Sequence, residues 1–414
     1  MILVLISEFM QDEIYLNIES QYYQQFNQVI VFSVKGHVYD NKRLVLQKNM
    51  VYGKKDITYK SNIDRMRYLC KGLFHRYGYQ EFGNLIKSKK INKNTIKSYA
   101  LFTAKTELLT ETMKNILLKR ITSSDEKIIF YSYRFGIGAL AGIRLKKFFH
   151  NAKVIARCHG QDLFEFRNED YYLPYRKALY SQIDKIFCIS EDGKNYISTQ
   201  YPQYSKKAEV FRLGTKDIGE NKNLTNQSLT LVSCSRIVPI KRLELIVDAL
   251  CQIKDTHVQW IHFGNGDKDY TKTIIEKTKK VGKNITCQFK GFVDNQHLVK
   301  EYLNGSFSAF INVSESEGLP VSIMEAMSVG MPIIATDVGG TAEIVYDKKN
   351  GYLLKKDFAT GDLVKAIQEI SLMTEKNFDK MCQNSRKAWE EKCSEEKNYK
   401  EFIERILSFQ EGLE

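Results

Sequence analysis

Two glutamates eight positions apart, Glu317 and Glu325, lie in the stretch of this chain best equipped for chemistry, NVSESEGLPVSIMEAMSVGMPIIATDVGG at 312–340. An apolar run ends at Val313, and a polar loop carrying Glu315, Glu317 and Gly318 follows. Pro320 suits the first turn of a helix, where its missing N–H is no loss. The helix runs to about Val329 and stops at Gly330, a residue that accepts the left-handed turn of a C-cap. Glu317 therefore falls in the loop and Glu325 on the helix. Free N–H groups at the helix start, around Leu319 to Ser322, form a cradle for hydroxyls and phosphate. Two carboxylates so placed can each accept from vicinal hydroxyls, one on a sugar and one on a ribose. The plainer reading is two surface glutamates at a strand–helix junction. It is outweighed by the Gly-Leu-Pro turn, the small-residue helix and Gly339-Gly340 after the next strand.

Upstream, SRIVPIKRLELIVDAL holds Arg236 and Lys241 on either side of a strand-to-helix turn, where two cations can converge on one phosphate pair. HFGNGD at 262–267 places Gly264 and Gly266 at another strand end, where they permit close backbone approach. ARCHGQDLF at 156–164 ends a strand at His159-Gly160, with Asp162 three residues on. An isolated histidine is more often structural than catalytic; a position at the C-terminal end of a strand, before glycine, reverses that preference for His159. Ser190, in FCISEDGKNYI, is placed to cap a helix. His257, His262 and His297 have no metal-like spacing, and no DxD-type carboxylate pair stands at a strand end, so no metal is expected.

The elements that must carry these residues alternate. ILVLIS at 2–7, QVIVFSV at 28–34, KIIFYSY at 127–133, KVIARCHG at 153–160, IDKIFCIS at 183–190 and AEVFRLG at 208–214 are short apolar runs separated by helix-length stretches. A polar joint rich in Lys, Asn and Gly, Thr215 to Gln227, reads as a linker. The alternation then restarts with LTLVSCSR, VQWIHFG, ITCQFKG, FSAFINVS and MPIIATD. Two Rossmann-like α/β domains follow, 1–214 and 215–394, facing one another across a cleft into which the C-terminal strand ends open. Trp389, Tyr399, Phe402, Ile403, Ile406 and Leu407 give the C-terminal segment one apolar face, and a helix over 395–414 is expected to pack back toward the first domain. Lys35 to Lys90 is polar and tyrosine-rich without a clean period.

A chain of 414 residues suits two such domains, and 43% hydrophobic with 27% charged residues is a folded, not a disordered, composition. The formal charge is +13, yet the basic pairs are short and scattered, with no helix-turn-helix, zinc-finger or RRM signature. Nucleic acid is excluded as a partner in favour of anionic small substrates or an anionic membrane face. Eight dispersed cysteines without a CxxC pair read as reduced thiols. No apolar run reaches 18 residues, and Met1–Ile6 lacks the basic leader of a signal peptide. A cytoplasmic protein is expected, peripheral on the inner face of a membrane, with the basic and aromatic run from Arg65 to Tyr77 as the docking patch.

EGLPVSIMEAMSVGMPIIATDVGG resembles the E-x7-E signature of the retaining nucleotide-sugar glycosyltransferases of family 4, which have the GT-B fold. The resemblance extends over nearly the whole chain, most weakly across 35–125. It implies that Glu317 meets the donor hexose, Glu325 the ribose, and the backbone of Gly318, Leu319 and Pro320 the sugar and diphosphate. His159 would contact the transferred sugar, and Val293, in KGFVDNQHL, would receive the base. Arg236 and Lys241 would offset the diphosphate, which needs neither cofactor nor metal; a UDP-linked donor is favoured. Transfer with retention follows from the resemblance, by approach of the acceptor on the leaving-group face. Surface-glycan enzymes of this kind imply a saccharide acceptor, lipid-linked or otherwise, in capsule or exopolysaccharide assembly. Where relatives have glycine after the lysine this chain has Arg242, read as an outward surface charge. Where many have a diglycine in the first loop it has Ser7-Glu8-Phe9, and Tyr133 and Arg134 are expected at the cleft edge. The competing classes are a sugar-nucleotide epimerase or hydrolase and a non-enzymatic nucleotide-sugar binding protein.

Overall fold

In the computed structural model, which describes residues 1–8, 12–34, 46–54 and 57–412, every strand pairing is parallel. The chain divides into two compact units, one of residues 1–211 with 399–414 and one of residues 212–398.

The first unit holds β1 (Ile2–Ser7), β2 (Gln28–Ser33), β3 (Met50–Lys54), β4 (Ile128–Ser132), β5 (Ala152–Cys158), β6 (Lys185–Cys188) and β7 (Ala208–Val210), in the order β3-β2-β1-β4-β5-β6-β7. Its strands are apolar on both faces because both are covered. Val4, Ile6, Ile30, Phe130 and Val154 pack under helices Lys93–Arg120, Ile137–Leu145 and Arg176–Gln182. The alternate set, Leu3, Leu5, Val29, Val31 and Tyr131, meets Phe402, Ile403, Ile406 and Phe409 of the terminal helix Glu395–Glu411. That helix also closes over the fully buried Arg157, whose guanidinium lies 4.1 Å from the Phe402 ring, 3.2 Å from the Tyr131 hydroxyl and 3.3 Å from the Glu19 carboxylate. A buried cation of this kind is tolerated only with such partners.

The poorly periodic segment before residue 90 contributes β3 and two helices, Asn62–Leu73 and Arg76–Lys87; Phe9 of the first loop and residues 35–45, 55 and 56 lie outside the described residues.

The second unit holds β8 (Leu229–Cys234), β9 (Val258–Phe263), β10 (Ile285–Gly291), β11 (Ala309–Asn312), β12 (Ile333–Thr336) and β13 (Gly351–Leu354), in the order β10-β9-β8-β11-β12-β13. Leu231, Trp260 and Ile311 pack against Ile246 and Leu250 of helix Leu243–Gln252 and Ile367 and Ile370 of helix Thr360–Ser371. The stretch read as a linker is instead fastened to this unit. Asn221 Nδ2 donates to the carbonyls of Tyr302 and Gly305, both at 2.7 Å, and Asn226 Nδ2 to those of Ile370 and Met373 at 3.0 and 2.8 Å. Both asparagines are buried because each satisfies carbonyls that a helix C-terminus leaves unpaired.

Candidate functional site

In the second unit the strand order reverses between β8 and β11, and open α/β sheets bind ligands beyond the carboxyl ends at such a switch point. The loops leaving these two strands carry Arg236, Lys241 and Glu317. They are tied together by the Glu315 N–H, which donates to the Ile240 carbonyl at 2.8 Å. Lys241 Nζ donates to Glu317 Oε1 at 2.6 Å, and Asn312 Nδ2, at the end of β11, to the same oxygen at 3.2 Å. Asn312 is itself fixed, because its Oδ1 accepts from the Ser314 N–H at 3.0 Å.

Glycine is required behind this loop. Gly339 has φ +57°, and a Cβ there would lie 2.0 Å from the Glu317 carbonyl oxygen. The Gly340 N–H donates to the Gly318 carbonyl at 2.7 Å, so the turn after β12 presses the Glu317–Gly318 backbone into place. Arg242 does not point outward. Its guanidinium donates to the carbonyls of Val313 (2.7 Å), Ser314 (3.1 Å) and Lys356 (2.8 Å), a planar fork suited to bracing converging carbonyls.

Helix Val321–Ser328 buries Ile323, Met324 and Met327, and no side chain caps its N-terminus. Leu319 and Pro320 are buried at its entrance. Glu325 lies on this helix, where Asn295 Nδ2 donates to its Oε1 at 2.5 Å. Burial pushes its carboxyl up to about 7 despite that hydrogen bond. The Cys234 thiol at the end of β8 is raised to about 12, by burial first and then by the Glu325 charge.

Gly264, with φ +136°, and Gly266 serve close approach, but to the neighbouring loop. A Cβ on either would come within 1.9 Å of a carbonyl oxygen, of Ser235 and Ile237 respectively. The backbone bonds Ser235 N to Phe263 O and Ile237 N to Asn265 O, each 3.1 Å, make the same seam and fix the base of Arg236, whose side chain is exposed. Val293 is half-buried in the turn after β10, which ends at Asp294, the N-cap of helix Asn295–Asn304.

In the first unit His159 directly follows β5 and is half-buried, its ring 5.1 Å from that of Tyr133. Asp162 orients loops: it accepts from the backbone N–H of His159 at 2.9 Å and of Phe135 at 2.7 Å. Burial raises its carboxyl, and His159, Arg134 and the Phe135 N–H outweigh this, holding it below the ordinary carboxylate range. Tyr133 is buried in the core, because its ring packs on Tyr131 and His159; Arg134 is half-exposed. Ser190 caps helix Glu191–Gln200 by accepting from the Gly193 N–H at 3.1 Å. Glu8 sits at the start of helix Ile137–Leu145, where its Oε1 accepts from the Gly138 N–H at 2.7 Å. An internal carboxylate thus occupies a helix N-terminus that would otherwise attract an outside anion.

Among the described residues no group of three or more His, Cys, Asp or Glu side chains could hold a metal ion. The contacts made by Asn312, Asn295 and Glu8 are not legible in the sequence. Asn312 falls within the informative stretch, but as the last residue of a strand it carries no signal of its own.

Two parallel six- and seven-stranded Rossmann-like units, one with cations and a carboxylate at its switch point, define a protein of the GT-B class. Residues 215–389 match the family of glycosyl transferases group 1. Over 338 residues it is 23% identical to the UDP-N-acetylglucosamine–peptide N-acetylglucosaminyltransferase GtfA subunit of Streptococcus gordonii, covering 76% of this chain and 63% of that relative. Two solved structures share the fold: sucrose-phosphate synthase of Thermosynechococcus elongatus (TM-score 0.70, 16% identity, 99% of this chain and 98% of that one) and Anabaena HepE in complex with UDP (0.66, 13%, 99% and 100%).

Proposed function

We propose that this chain is a retaining glycosyltransferase that moves a hexose or N-acetylhexosamine from a UDP-linked donor to a saccharide acceptor, lipid-linked or otherwise, in surface-glycan assembly. The observation that carries the reading is the Lys241–Glu317 pair at the switch point of the second sheet, next to an uncapped helix N-terminus. A lysine already paired with a carboxylate can exchange that partner for a diphosphate, leaving Glu317 for a hydroxyl of the donor sugar. Arg236, the loop amides of Gly318 and Leu319 and the free N–H groups of the helix that starts after Pro320 add to the neutralisation of the leaving group. Glu325 takes the ribose hydroxyls, Val293 the base, and His159 the transferred sugar. The bond from the anomeric carbon to the diphosphate breaks with its electron pair on the phosphate oxygen. The acceptor oxygen bonds to that carbon on the same face, and its proton passes to the departing diphosphate. The transferase named for the Streptococcus relative and the UDP named for the Anabaena structure support UDP-N-acetylglucosamine as the first donor to try.

Labelled UDP-N-acetylglucosamine and UDP-glucose, each with and without saccharide, lipid-linked and peptide acceptors, test the reading. Label transferred to an acceptor with its anomeric configuration kept supports it. Free sugar alone identifies a hydrolase, an epimerised donor an epimerase, and binding without turnover a carrier.

A further inference from the structure

The two helices Asn62–Leu73 and Arg76–Lys87 of the first unit carry exposed apolar side chains. On the first, Tyr68 and Gly72 face inward, and a Cβ on Gly72 would stand 2.6 Å from Thr103 Cγ2, so this helix lies hard against helix Lys93–Arg120. Ile63, Met66, Cys70 and Phe74 follow the opposite side at helical spacing, and Ile63 and Phe74 are 82% and 88% exposed. On the second helix Gly78, Glu81 and Leu85 face inward, the Phe82 ring lies 6.0 Å from that of the buried Tyr99, and Tyr79 and Ile86 are exposed. Single exposed apolar residues are ordinary, but a stripe of them along one helix face is not.

The charge around these stripes has one sign. Residues 60–97 contain ten Lys and Arg against two acids, and one of those two, Glu81, is buried. Most of the excess of 13 positive charges over the whole chain is thus gathered here. Arg65, Arg67 and Arg76 are exposed and form no ion pair among the described residues. A groove of about 370 Å³ along the second helix is lined by Arg76, Lys87 and Lys177 together with Glu81. The Tyr68 and Tyr77 rings, expected in the docking patch, are buried and half-buried and take no part. Among the described residues no helix is long and apolar enough to cross a membrane.

We propose that this face docks on an anionic phospholipid surface, with Phe74, Met66 and Ile63 entering the interface and Arg65, Arg67, Arg76 and Lys87 meeting the headgroups. Aromatic and aliphatic side chains interleaved with cations on a helix face are what a lipid interface takes up. Docking is reversible because neither element spans, and it stands independently of the glycosyl-transfer reading.

Flotation of the full chain with phosphatidylcholine vesicles, with and without phosphatidylglycerol, tests this at about 0.01 M and 1 M ionic strength, where screening lengths are about 30 and 3 Å. Binding is expected only with phosphatidylglycerol and only at low salt. Arg65→Gln with Arg67→Gln removes two near-surface cations and is expected to lower the partition coefficient about 30-fold. Ile63→Ser with Phe74→Ser is expected to abolish binding. All four side chains are exposed, so circular dichroism melts should match the wild type. Lys365→Gln with Lys387→Gln, exposed cations of the second unit, should leave binding within about twofold. Equal loss in that control would mean net charge alone and overturn the proposed face. So would wild-type binding in both patch variants, or no anionic preference at low salt.

Discussion

Replacing Glu325 with Gln separates what the fold does to this carboxyl from what a nucleotide does with it. In the free protein burial raises its pKa from 4.5 to about 7, against the pull of the Asn295 hydrogen bond. At about 1.4 kcal/mol per pH unit, ionising it in the folded chain costs up to ~3 kcal/mol more than in the unfolded chain. That is an upper bound, since part of the side chain meets solvent. The sign follows: the contribution is fully present below about pH 4.5 and is lost as pH rises through about 7. Glutamine keeps the shape and never ionises, so the variant should melt at or below the wild type near pH 4 and above it near pH 8. Under the proposed function nucleotide binding runs the other way, because the ribose hydroxyls assigned to Glu325 need the carboxylate as acceptor. With half-ionisation near 7, wild-type affinity for UDP should rise on the order of tenfold between pH 6 and pH 8. Titration calorimetry of both proteins, taken as a ratio, cancels the titration of UDP itself. A ratio that does not change with pH would refute both the buried carboxyl and its contact with the ribose.

Lys241→Ala removes a cation that bonds Glu317 at 2.6 Å, and Arg236→Ala one on the adjoining loop; each should weaken UDP binding by about 1.5–3 kcal/mol, measured by calorimetry. Phe402→Ala strips a fully buried ring from the second face of the first sheet and from Arg157, and should cost about 3–5 kcal/mol in denaturant melts, without altering nucleotide affinity.

What could be read from the sequence follows from how local each signal is. β1, β2, β4, β5 and β8 to β12 appear as apolar runs because a parallel sheet covered on both faces leaves no alternation to decipher. Helices Asn62–Leu73 and Arg76–Lys87 escaped notice because they carry apolar residues on two sides, which blurs the period of 3.6. Asn221 and Asn226 looked like linker residues, since nothing in a polar run says that an amide will be buried against helix-end carbonyls. At the site, the loop-versus-helix separation of Glu317 and Glu325 was legible from Pro320 and Gly330 alone. The Arg242 brace and the Asn312–Glu317 and Asn295–Glu325 bonds depend on residues 5 to 114 positions apart, and no local pattern encodes them.

The proposed function assigns Glu317 and His159 to the sugar being transferred. Steady-state transfer from UDP-N-acetylglucosamine to the best acceptor, with UDP affinity measured alongside, tests it in Glu317→Gln and His159→Ala. In both variants kcat is expected to fall at least about a hundredfold while UDP binds within a few-fold of the wild type. Full turnover by Glu317→Gln with a normal donor would contradict it.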